Sequence, residues 1–352
     1  MMAAADALTE PPAGYRLPAE WEPQAAVWLA WPHRRKTFLG DFAEIPPAFV
    51  RLVQLLVSFE PVRVIGSKAV LADAEAHLAG IAGVEFIEIP TNDSWLRDTG
   101  PVFLQPRQQP GPPVAVSFNF NAWGGKYPPW DDDAAVASKI AQRLGLQLIR
   151  PGIVLEGGAL ETDGEGTLIV NHRCIEDPQR NPGLSRDDLT VILKRSLGID
   201  KVLWIGGELA GDDTDGHVDQ LVRFVAPGHL VAARQPDRDD PNHESLEANI
   251  KLLRSLTDAR GRPLRVTPIE LPPRESYEGV QLPASYLNFL VVNGGVILPT
   301  FEHRLDASAI GILAVLFPDR LIRPYPAREL IRGRGAVHCV TREQPVIAHA
   351  GA

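Results

Sequence analysis

The pattern of apolar and polar residues along the chain predicts alternating strands and helices. Short apolar or alternating stretches that end at glycine or proline are typical of strands. We expect strands at residues 62–65, 84–89, 114–120, 167–170, 221–225, 230–233, 287–292 and 296–298. Apolar residues spaced three and four positions apart are typical of helices. We expect helices at residues 47–59, 70–79, 132–144, 185–197, 242–256 and 307–317, with Ser185 and Asp188 as a capping pair.

Hairpins with a glycine in the turn recur at similar intervals along the chain. The segments around Gly166, Gly228 and Gly295 each join two apolar strands, and an earlier hairpin surrounds Gly111. Each unit also has a helix, which predicts a ring or stack of α/β units with the functional site at its centre. Neither a low-complexity linker nor a change in composition divides the chain, so we expect a single domain.

The composition is that of a folded globular protein. The chain has 352 residues, of which 45% are hydrophobic and 22% are charged. Its net charge of −9 argues against nucleic-acid and membrane partners and favours a small cationic molecule. Residues 1–14 lack the regions of a signal peptide, and no segment reaches the ~18 apolar residues that span a membrane. We therefore expect a cytoplasmic protein. The sequence leaves the oligomeric state open, and a homodimer is one candidate.

Four acidic residues are crowded into residues 211–219, which have the sequence GDDTDGHVD. Like charges repel one another, so a folded protein keeps such a cluster for a cation, a metal or a basic substrate. If residues 217–219 form a strand, His217 and Asp219 point to the same face, with Val218 buried behind them. A base and a carboxylate would then share one pocket. The structural alternative is an acidic turn before a buried strand.

Two metal-binding patterns can be tested on this segment, and both fail. A calcium loop of the EF-hand type requires a glutamate at its twelfth position, where this chain has Val222. A zinc deaminase requires paired cysteines, and this chain has only Cys174 and Cys339. Two cysteines also cannot form a disulfide framework, which favours a reducing compartment.

Three further segments carry residue types that are suited to catalysis. Asp98 lies in a loop after a predicted strand, Glu156 precedes a pair of glycines, and Cys339 follows a glycine-rich turn. If residues 337–341 form a strand, His338 points away from the face of Cys339, so His217 is the better acid or base for this thiol.

Each candidate also has a structural explanation when it is taken alone. Asp98 could pair with its neighbour Arg97, and Glu156 could be a solvated loop residue. Cys174 is expected to be a buried small hydrophobe, and the tryptophans are expected to pack in the core or in turns. The combination of the candidates is therefore more informative than any one of them.

Several motifs in order give the chain a resemblance to a known family. They are WLRDTGP at 95–101, FNAWGGK at 120–126, LEGG at 155–158, QRNP at 179–182, GDDTDGHVD at 211–219, LPASYLNF at 282–289 and the final His338-Cys339 pair. In this order they resemble the agmatine deiminase family from about residue 17 onward. We therefore divide the chain into an extension at 1–16 and one domain at 17–352. The resemblance implies a pentein fold, which is a five-bladed α/β propeller of ββαβ-type pseudo-repeats.

The resemblance also implies a reaction and the residues that perform it. The expected reaction is hydrolysis of agmatine to N-carbamoylputrescine and ammonia through a covalent amidino intermediate on a cysteine, without a metal or an organic cofactor. The implied roles are Cys339 as nucleophile, His217 as acid and base, Glu156 as the residue that orients His217, and Asp98 with Asp219 as the guanidinium clamp. We expect further substrate contacts from Trp95, Arg97, Trp123, Asp213 and Asp215.

The sequence leaves several functional alternatives open. The same chemistry could act on free arginine or on arginine within a peptide, or it could transfer the amidino group to an amine instead of water. A propeller that only binds ligands is a further alternative. Residues 333–336 have the sequence GRGA where many agmatine deiminases have GGGN, which leaves the substrate open. The acidic segment at 211–219 favours agmatine, because agmatine is a dication.

Overall fold

The strands form small mixed sheets rather than one continuous sheet. A computed structural model describes residues 10–107 and 111–346, which fold as a single α/β domain. Its strands are β1 (Tyr15–Arg16), β2 (Gln24–Ala30), β3 (Val62–Gly66), β4 (Val84–Glu88), β5 (Val102–Pro106), β6 (Val114–Val116), β7 (Leu148–Ile149), β8 (Glu161–Thr162), β9 (Thr167–Asn171), β10 (Lys201–Ile205), β11 (Val222–Ala226), β12 (His229–Arg234), β13 (Arg265–Glu270), β14 (Glu275–Tyr277), β15 (Val280–Leu282), β16 (Leu290–Val292), β17 (Gly295–Thr300), β18 (Leu321–Pro326) and β19 (Thr341–Pro345).

The helices connect parallel strands or form short turns near the strand ends. They are α1 (Ile45–Leu56), α2 (Lys68–His77), α3 (Leu96–Thr99), α4 (Ala122–Gly125), α5 (Asp131–Leu144), α6 (His172–Ile175), α7 (Arg186–Leu197), α8 (His243–Arg254) and α9 (Arg304–Leu316). Single turns of 3₁₀-helix lie at Arg35–Thr37, Phe42–Glu44, Gly157–Ala159, Val218–Gln220 and Leu330–Gly333. None of the helices in the described ranges is long and apolar enough to cross a membrane.

One unit recurs along the described chain. Two antiparallel strands are followed by a helix and by a third strand that lies parallel to the second. This arrangement occurs in β5-β6-α5-β7, in β8-β9-α7-β10, in β11-β12-α8-β13 and in β16-β17-α9-β18. The predicted hairpins at Gly166, Gly228 and Gly295 are the antiparallel pairs of three of these units.

A fifth unit is built from both ends of the described chain. The last strand, β19, pairs antiparallel with β2, and β2 continues parallel to β3 and β4 through α1 and α2. Strand β1 pairs antiparallel with β5, so Tyr15 and Arg16 belong to a sheet of the domain although they lie in the predicted extension. Residues 1–9 of that extension lie outside the described residues.

The helix signals in the sequence are reproduced closely. All six predicted helices are present, with ends that differ by a few residues from the predicted ones. Helix α7 begins at the predicted capping box, in which the side chains of Ser185 and Asp188 each bind the other residue's backbone N–H, and it ends at Gly198 with a left-handed φ of 63°. The expected strands are also present, although β6 ends at Val116 and β16 begins only at Leu290. The expected strand ranges do not include β1, β2, β5, β7, β8, β10, β13, β14, β15, β18 and β19.

Candidate active site

The site is assembled from the segments that precede the first strand of each unit. Asp98 lies just before β5, Glu156 before β8, Asp219 before β11, Asn288 before β16 and Cys339 before β19. The equivalent position in each repeat therefore contributes one polar side chain. These side chains meet at the buried end of a cavity of about 260 Å³, which Asp98 and Cys339 line directly.

The side chain of Cys339 is buried and accepts a hydrogen bond from an asparagine. The side-chain amide of Asn288 donates to Cys339 Sγ at 3.0 Å, and its Oδ1 accepts from the backbone N–H groups of Ala336 and Cys339. Burial and the charges of Asp219 and Asp98 raise the pKa of the thiol well above its usual value. The free protein therefore holds Cys339 as a thiol at neutral pH.

The carboxylate of Asp98 is fixed at both oxygens. Its Oδ1 accepts from the backbone N–H of Gly158 at 2.9 Å, and its Oδ2 accepts from Trp123 Nε1 at 2.9 Å. Burial raises the pKa of Asp98, and the charge of His217 opposes this increase. Trp123 has a left-handed φ of 56°, a strained backbone that directs its indole towards this carboxylate.

His217 lies between two carboxylates at the buried end of the site. Its Nδ1 is 3.7 Å from Asp98 Oδ1, and its Nε2 is 3.7 Å from Glu156 Oε2. Neither ring nitrogen forms a hydrogen bond with any residue in the described part of the chain. Burial alone would lower the pKa of His217, but the charges of Asp98, Glu156 and Asp219 raise it to about 9. The imidazole is therefore a proton donor at neutral pH.

Glu156 is kept ionised by an arginine that the sequence did not mark as functional. Arg180 Nε donates to Glu156 Oε1 at 2.8 Å, and both side chains are completely buried. Burial opposes ionisation, but the charges of Arg180 and His217 lower the pKa of Glu156 to about 2. Arg180 Nη1 also donates to Asp215 Oδ2 at 2.8 Å. Because this second contact holds the arginine in place, Arg180 fixes Glu156 opposite His217.

Glycine is required where the site is most crowded. A Cβ atom on Gly158 would lie 2.6 Å from His217 Nδ1, 2.9 Å from Asp98 Oδ1 and 3.2 Å from Asp219 Oδ2. A Cβ on Gly335 would lie 2.5 Å from the ring of Trp95. Any side chain at these positions would separate the groups that have to meet. Trp95 and Trp123 form walls of the cavity.

The outer end of the cavity contains charges of both signs. Tyr127 donates to Asp213 Oδ2, and Arg334 Nη1 lies 3.2 Å from the same oxygen. Arg334 therefore faces the cavity. Arg34 and Lys36 also line this end, although no motif in the sequence marked them as site residues.

Two predicted substrate contacts do not line the cavity. Arg97 is buried and binds the backbone carbonyl of His338 and the carboxylate of Glu343. Asp215 is held by Lys126 and Arg180.

The strands expected at residues 217–219 and 337–341 are also wrong. Val218–Gln220 is a 3₁₀-helix with His217 at its N-cap, and β19 begins only at Thr341.

Cys174 and the metal patterns give no second site. Cys174 is completely buried beneath the backbone carbonyl of Asn171 and does not line the cavity. Burial raises the pKa of its thiol well above the usual value. Within residues 10–107 and 111–346, no group of three or more histidine, cysteine, aspartate or glutamate side chains is arranged to hold a metal ion.

The buried end of one cavity brings together a thiol, an imidazole and several carboxylates. These are the groups of a cysteine-dependent enzyme. The model of the Porphyromonas-type peptidyl-arginine deiminase family matches residues 16–345. An agmatine deiminase of Ectopseudomonas mendocina is 38% identical, over 94% of this chain and 96% of that protein. The chain therefore belongs to the Porphyromonas-type peptidyl-arginine deiminase family, which confirms the resemblance to agmatine deiminases.

Solved structures agree with this assignment. An agmatine deiminase of Enterococcus faecalis has a TM-score of 0.90 and 32% identity, and the match covers 95% of this chain and 96% of that one. An agmatine deiminase of C. jejuni, solved with substrate bound, has a TM-score of 0.86 and 27% identity over 94% of this chain and 96% of that one. These matches extend over almost the whole chain.

Proposed function

We propose that the protein is an agmatine deiminase, which hydrolyses agmatine to N-carbamoylputrescine and ammonia. The observation that carries the proposal is the convergence of Cys339, His217, Asp98 and Asp219 at the buried end of one cavity. Relatives that are named agmatine deiminases and match almost the whole chain support it.

The two aspartates are suited to hold a planar cation. A guanidinium has N–H donors on all sides, and carboxylates that accept from them fix its orientation. Asp98 is anchored by Gly158 and Trp123, while Asp219 Oδ2 lies 3.5 Å from Cys339 Sγ. A guanidinium bound between these carboxylates has its central carbon beside the sulfur.

The substrate itself helps to ionise the nucleophile. Burial and the charges of Asp219 and Asp98 raise the pKa of Cys339, so a bound cation that offsets those charges favours loss of the thiol proton to solvent and formation of the thiolate. The thiolate attacks the guanidinium carbon and forms a C–S bond, which gives a tetrahedral adduct. His217 then donates its proton to the departing nitrogen, and ammonia leaves as the C–N bond breaks.

The second half of the reaction restores the cysteine. The amidino group remains attached to Cys339 as a thioether, and His217, now neutral, accepts a proton from an attacking water molecule. The resulting adduct breaks its C–S bond, the thiolate of Cys339 leaves, the remaining hydroxyl proton passes to solvent, and the ureido product is released. Glu156 orients the ring of His217 and keeps it cationic through its charge.

The repeated units support a five-bladed ring. We propose that they surround a central axis, because each unit sends the segment before its first strand to the same cavity. The pairing of β19 with β2 joins the two ends of the described chain, as closure of a ring requires. The domain boundary at residue 17, the cytoplasmic location and the homodimer stay predictions.

Free arginine and arginine in a peptide stay alternative substrates, because the outer end of the cavity contains cations. Arg34, Lys36 and Arg334 line it, and cations there can accept the α-carboxylate that agmatine lacks. Asp213 favours the amine of agmatine in the same place. A propeller that only binds ligands would not require the thiol of Cys339.

The test is the release of ammonia and ureido product from agmatine, from arginine and from an arginine blocked at both ends. We expect equal amounts of the two products from agmatine, without an added amine, and a higher kcat/KM than for the other substrates. Dependence on an added amine would indicate amidino transfer. A binding module would release no ammonia from any of them.

A further inference from the structure

His338, which does not line the cavity, lies between two carboxylates. Its Nδ1 is 2.7 Å from Asp219 Oδ2, and its Nε2 is 2.7 Å from Glu20 Oε2. The imidazole is 2% exposed. A neutral imidazole has a single N–H group, so both contacts are hydrogen bonds to ionised carboxylates only if the ring is an imidazolium. An imidazolium in this place puts a positive charge directly behind Asp219.

Glu20 is itself held firmly, although it lies far from the other site residues in the sequence. Its Oε1 accepts from the backbone N–H of Val291 at 2.7 Å, and its Oε2 accepts from Arg223 Nη2 at 2.9 Å. Arg97 Nη2 lies 3.9 Å from the same Oε2. These cations and the charge of His338 lower the pKa of Glu20 well below its usual value against the effect of burial. Glu20 is therefore a fixed anion.

The two oxygens of Asp219 have different surroundings. Oδ2 is bound by His338, whereas Oδ1 is buried and has no hydrogen-bond partner among residues 10–107 and 111–346. A buried carboxylate oxygen without a hydrogen-bond donor destabilises the folded protein. Such an oxygen therefore indicates a donor that arrives with a ligand. Oδ2 also lies 3.5 Å from Cys339 Sγ, so the contacts with His338 and Cys339 hold the carboxylate in the orientation in which Oδ1 has no donor among these residues.

We propose that Glu20 and His338 are positioning residues for the guanidinium clamp. Glu20 holds His338 as an imidazolium, and His338 fixes Asp219 with one oxygen free for the substrate. This inference rests on the proposed function, because it assigns the free oxygen to a guanidinium N–H. It also gives Arg97 a role away from the cavity, as part of the cationic frame around Glu20.

Two substitutions at the same position separate the two hydrogen bonds. In H338N the amide nitrogen lies near the place of Nδ1 and can still donate to Asp219. In H338Q it lies near the place of Nε2 and reaches only Glu20. We expect H338Q to lose about tenfold in kcat/KM for agmatine, as a hydrogen bond to a charged group implies, and H338N to stay within about threefold of the wild type. Equal losses in both variants, or a larger loss in H338N, would overturn the inference.

A double-mutant cycle with D219N tests whether His338 acts through Asp219. If it does, H338Q adds little to the loss in D219N, whereas independent structural roles would multiply the two losses. A near-normal D219N enzyme would remove the clamp and with it the inference. Thermal unfolding of each variant identifies losses that come from a destabilised fold.

A readout without substrate separates this inference from the proposed function. In ¹⁵N-histidine NMR spectra, with signals assigned from H338Q, we expect two N–H groups on His338 in the wild type. E20Q should leave one, because a glutamine amide can donate to a neutral ring. If the wild type fails to hydrolyse agmatine, the proposed function is wrong. A single N–H on His338 in the wild type would show that the inference is wrong, whatever the substrate.

Discussion

The two ends of the cavity differ in burial and in charge. At the inner end, His217 and Asp219 are at most 1% exposed, while Asp98 and Cys339 are 7% and 6% exposed. Each of the inner carboxylates is anchored by backbone or side-chain donors. At the outer end, the side chains of Arg334 and Asp213 are 29% and 27% exposed and form an ion pair.

This difference indicates how recognition is divided. The inner end offers carboxylates and one thiol in fixed places, which suits a guanidinium and little else. The outer end offers acids and bases that water screens, so single contacts there are worth less. We therefore expect that substitutions at the inner end abolish or strongly reduce turnover, and that substitutions at the outer end change the choice between substrates.

Replacement of the nucleophile is the largest expected effect. Cys339→Ser should reduce kcat for agmatine by at least about 10³-fold, because a hydroxyl is ionised far less readily than a thiol. Cys174→Ser, the matched control, should keep activity near the wild-type value, since Cys174 does not line the cavity. Both are measured by ammonia release, with circular dichroism to verify folding. Substantial turnover by the Cys339 variant would refute its assignment as nucleophile.

Removal of one clamp charge should have the next largest effect. Asp98→Asn keeps nearly the same volume but removes a negative charge that faces the bound cation. A loss of at least about tenfold in kcat/KM is expected, as for hydrogen bonds to charged groups. Asp240→Asn is the control, because Asp240 is also buried and paired, with Arg274, but does not line the cavity. Equal effects of the two substitutions would mean that the loss comes from stability rather than from the clamp.

The pH dependence should report the charge of His217. The pKa of this residue is raised to about 9, and the protonated form donates to the nitrogen that leaves as ammonia. The reaction also needs the thiolate of Cys339, whose pKa lies well above its usual value, so kcat/KM, which reflects the free enzyme, should rise with pH and level off at about 9. Glu156→Gln removes one of the charges that raise the pKa of His217, so this break in the pH profile should move to lower pH by about one unit or more. An unchanged break in Glu156→Gln would separate His217 from the proton transfer.

The sequence predicted the inner end better than the outer end. Cys339, Asp98, Asp219, His217 and Glu156 were all chosen from the motifs, and the structure brings them together. Amphipathic helices were also predicted, because their periodicity extends over many residues. The missed strand β2 is buried on both faces, and β13 has an irregular burial pattern with Pro268 inside it, so neither shows the alternation that predicts a strand.

The errors have local physical causes. Arg97 was chosen as the neighbour of Asp98, but successive residues on helix α3 point about 100° apart, and Asp98 faces the cavity. Residues 217–219 are too few for a two-residue period to distinguish a strand from a turn. Asn288 and Glu20 act through contacts with residues that are remote in sequence, and only the tertiary structure shows these contacts.

The smallest expected effect lies at the outer end and concerns selectivity. Arg334 pairs with Asp213, the residue that we propose as the acceptor for the amine of agmatine, and its cation can attract the α-carboxylate of arginine. Arg334 has a left-handed φ of 69°, and Arg334→Gln replaces its side chain by a shorter, uncharged polar one. It should raise the ratio of kcat/KM for agmatine to that for arginine by roughly two- to fivefold, in keeping with the small energy of a half-exposed pair. Asp213→Asn should lower the same ratio, because it removes the acceptor for the amine. If both substitutions changed the two substrates equally, the outer end would have no part in selection, and specificity would have to come from the inner carboxylates alone.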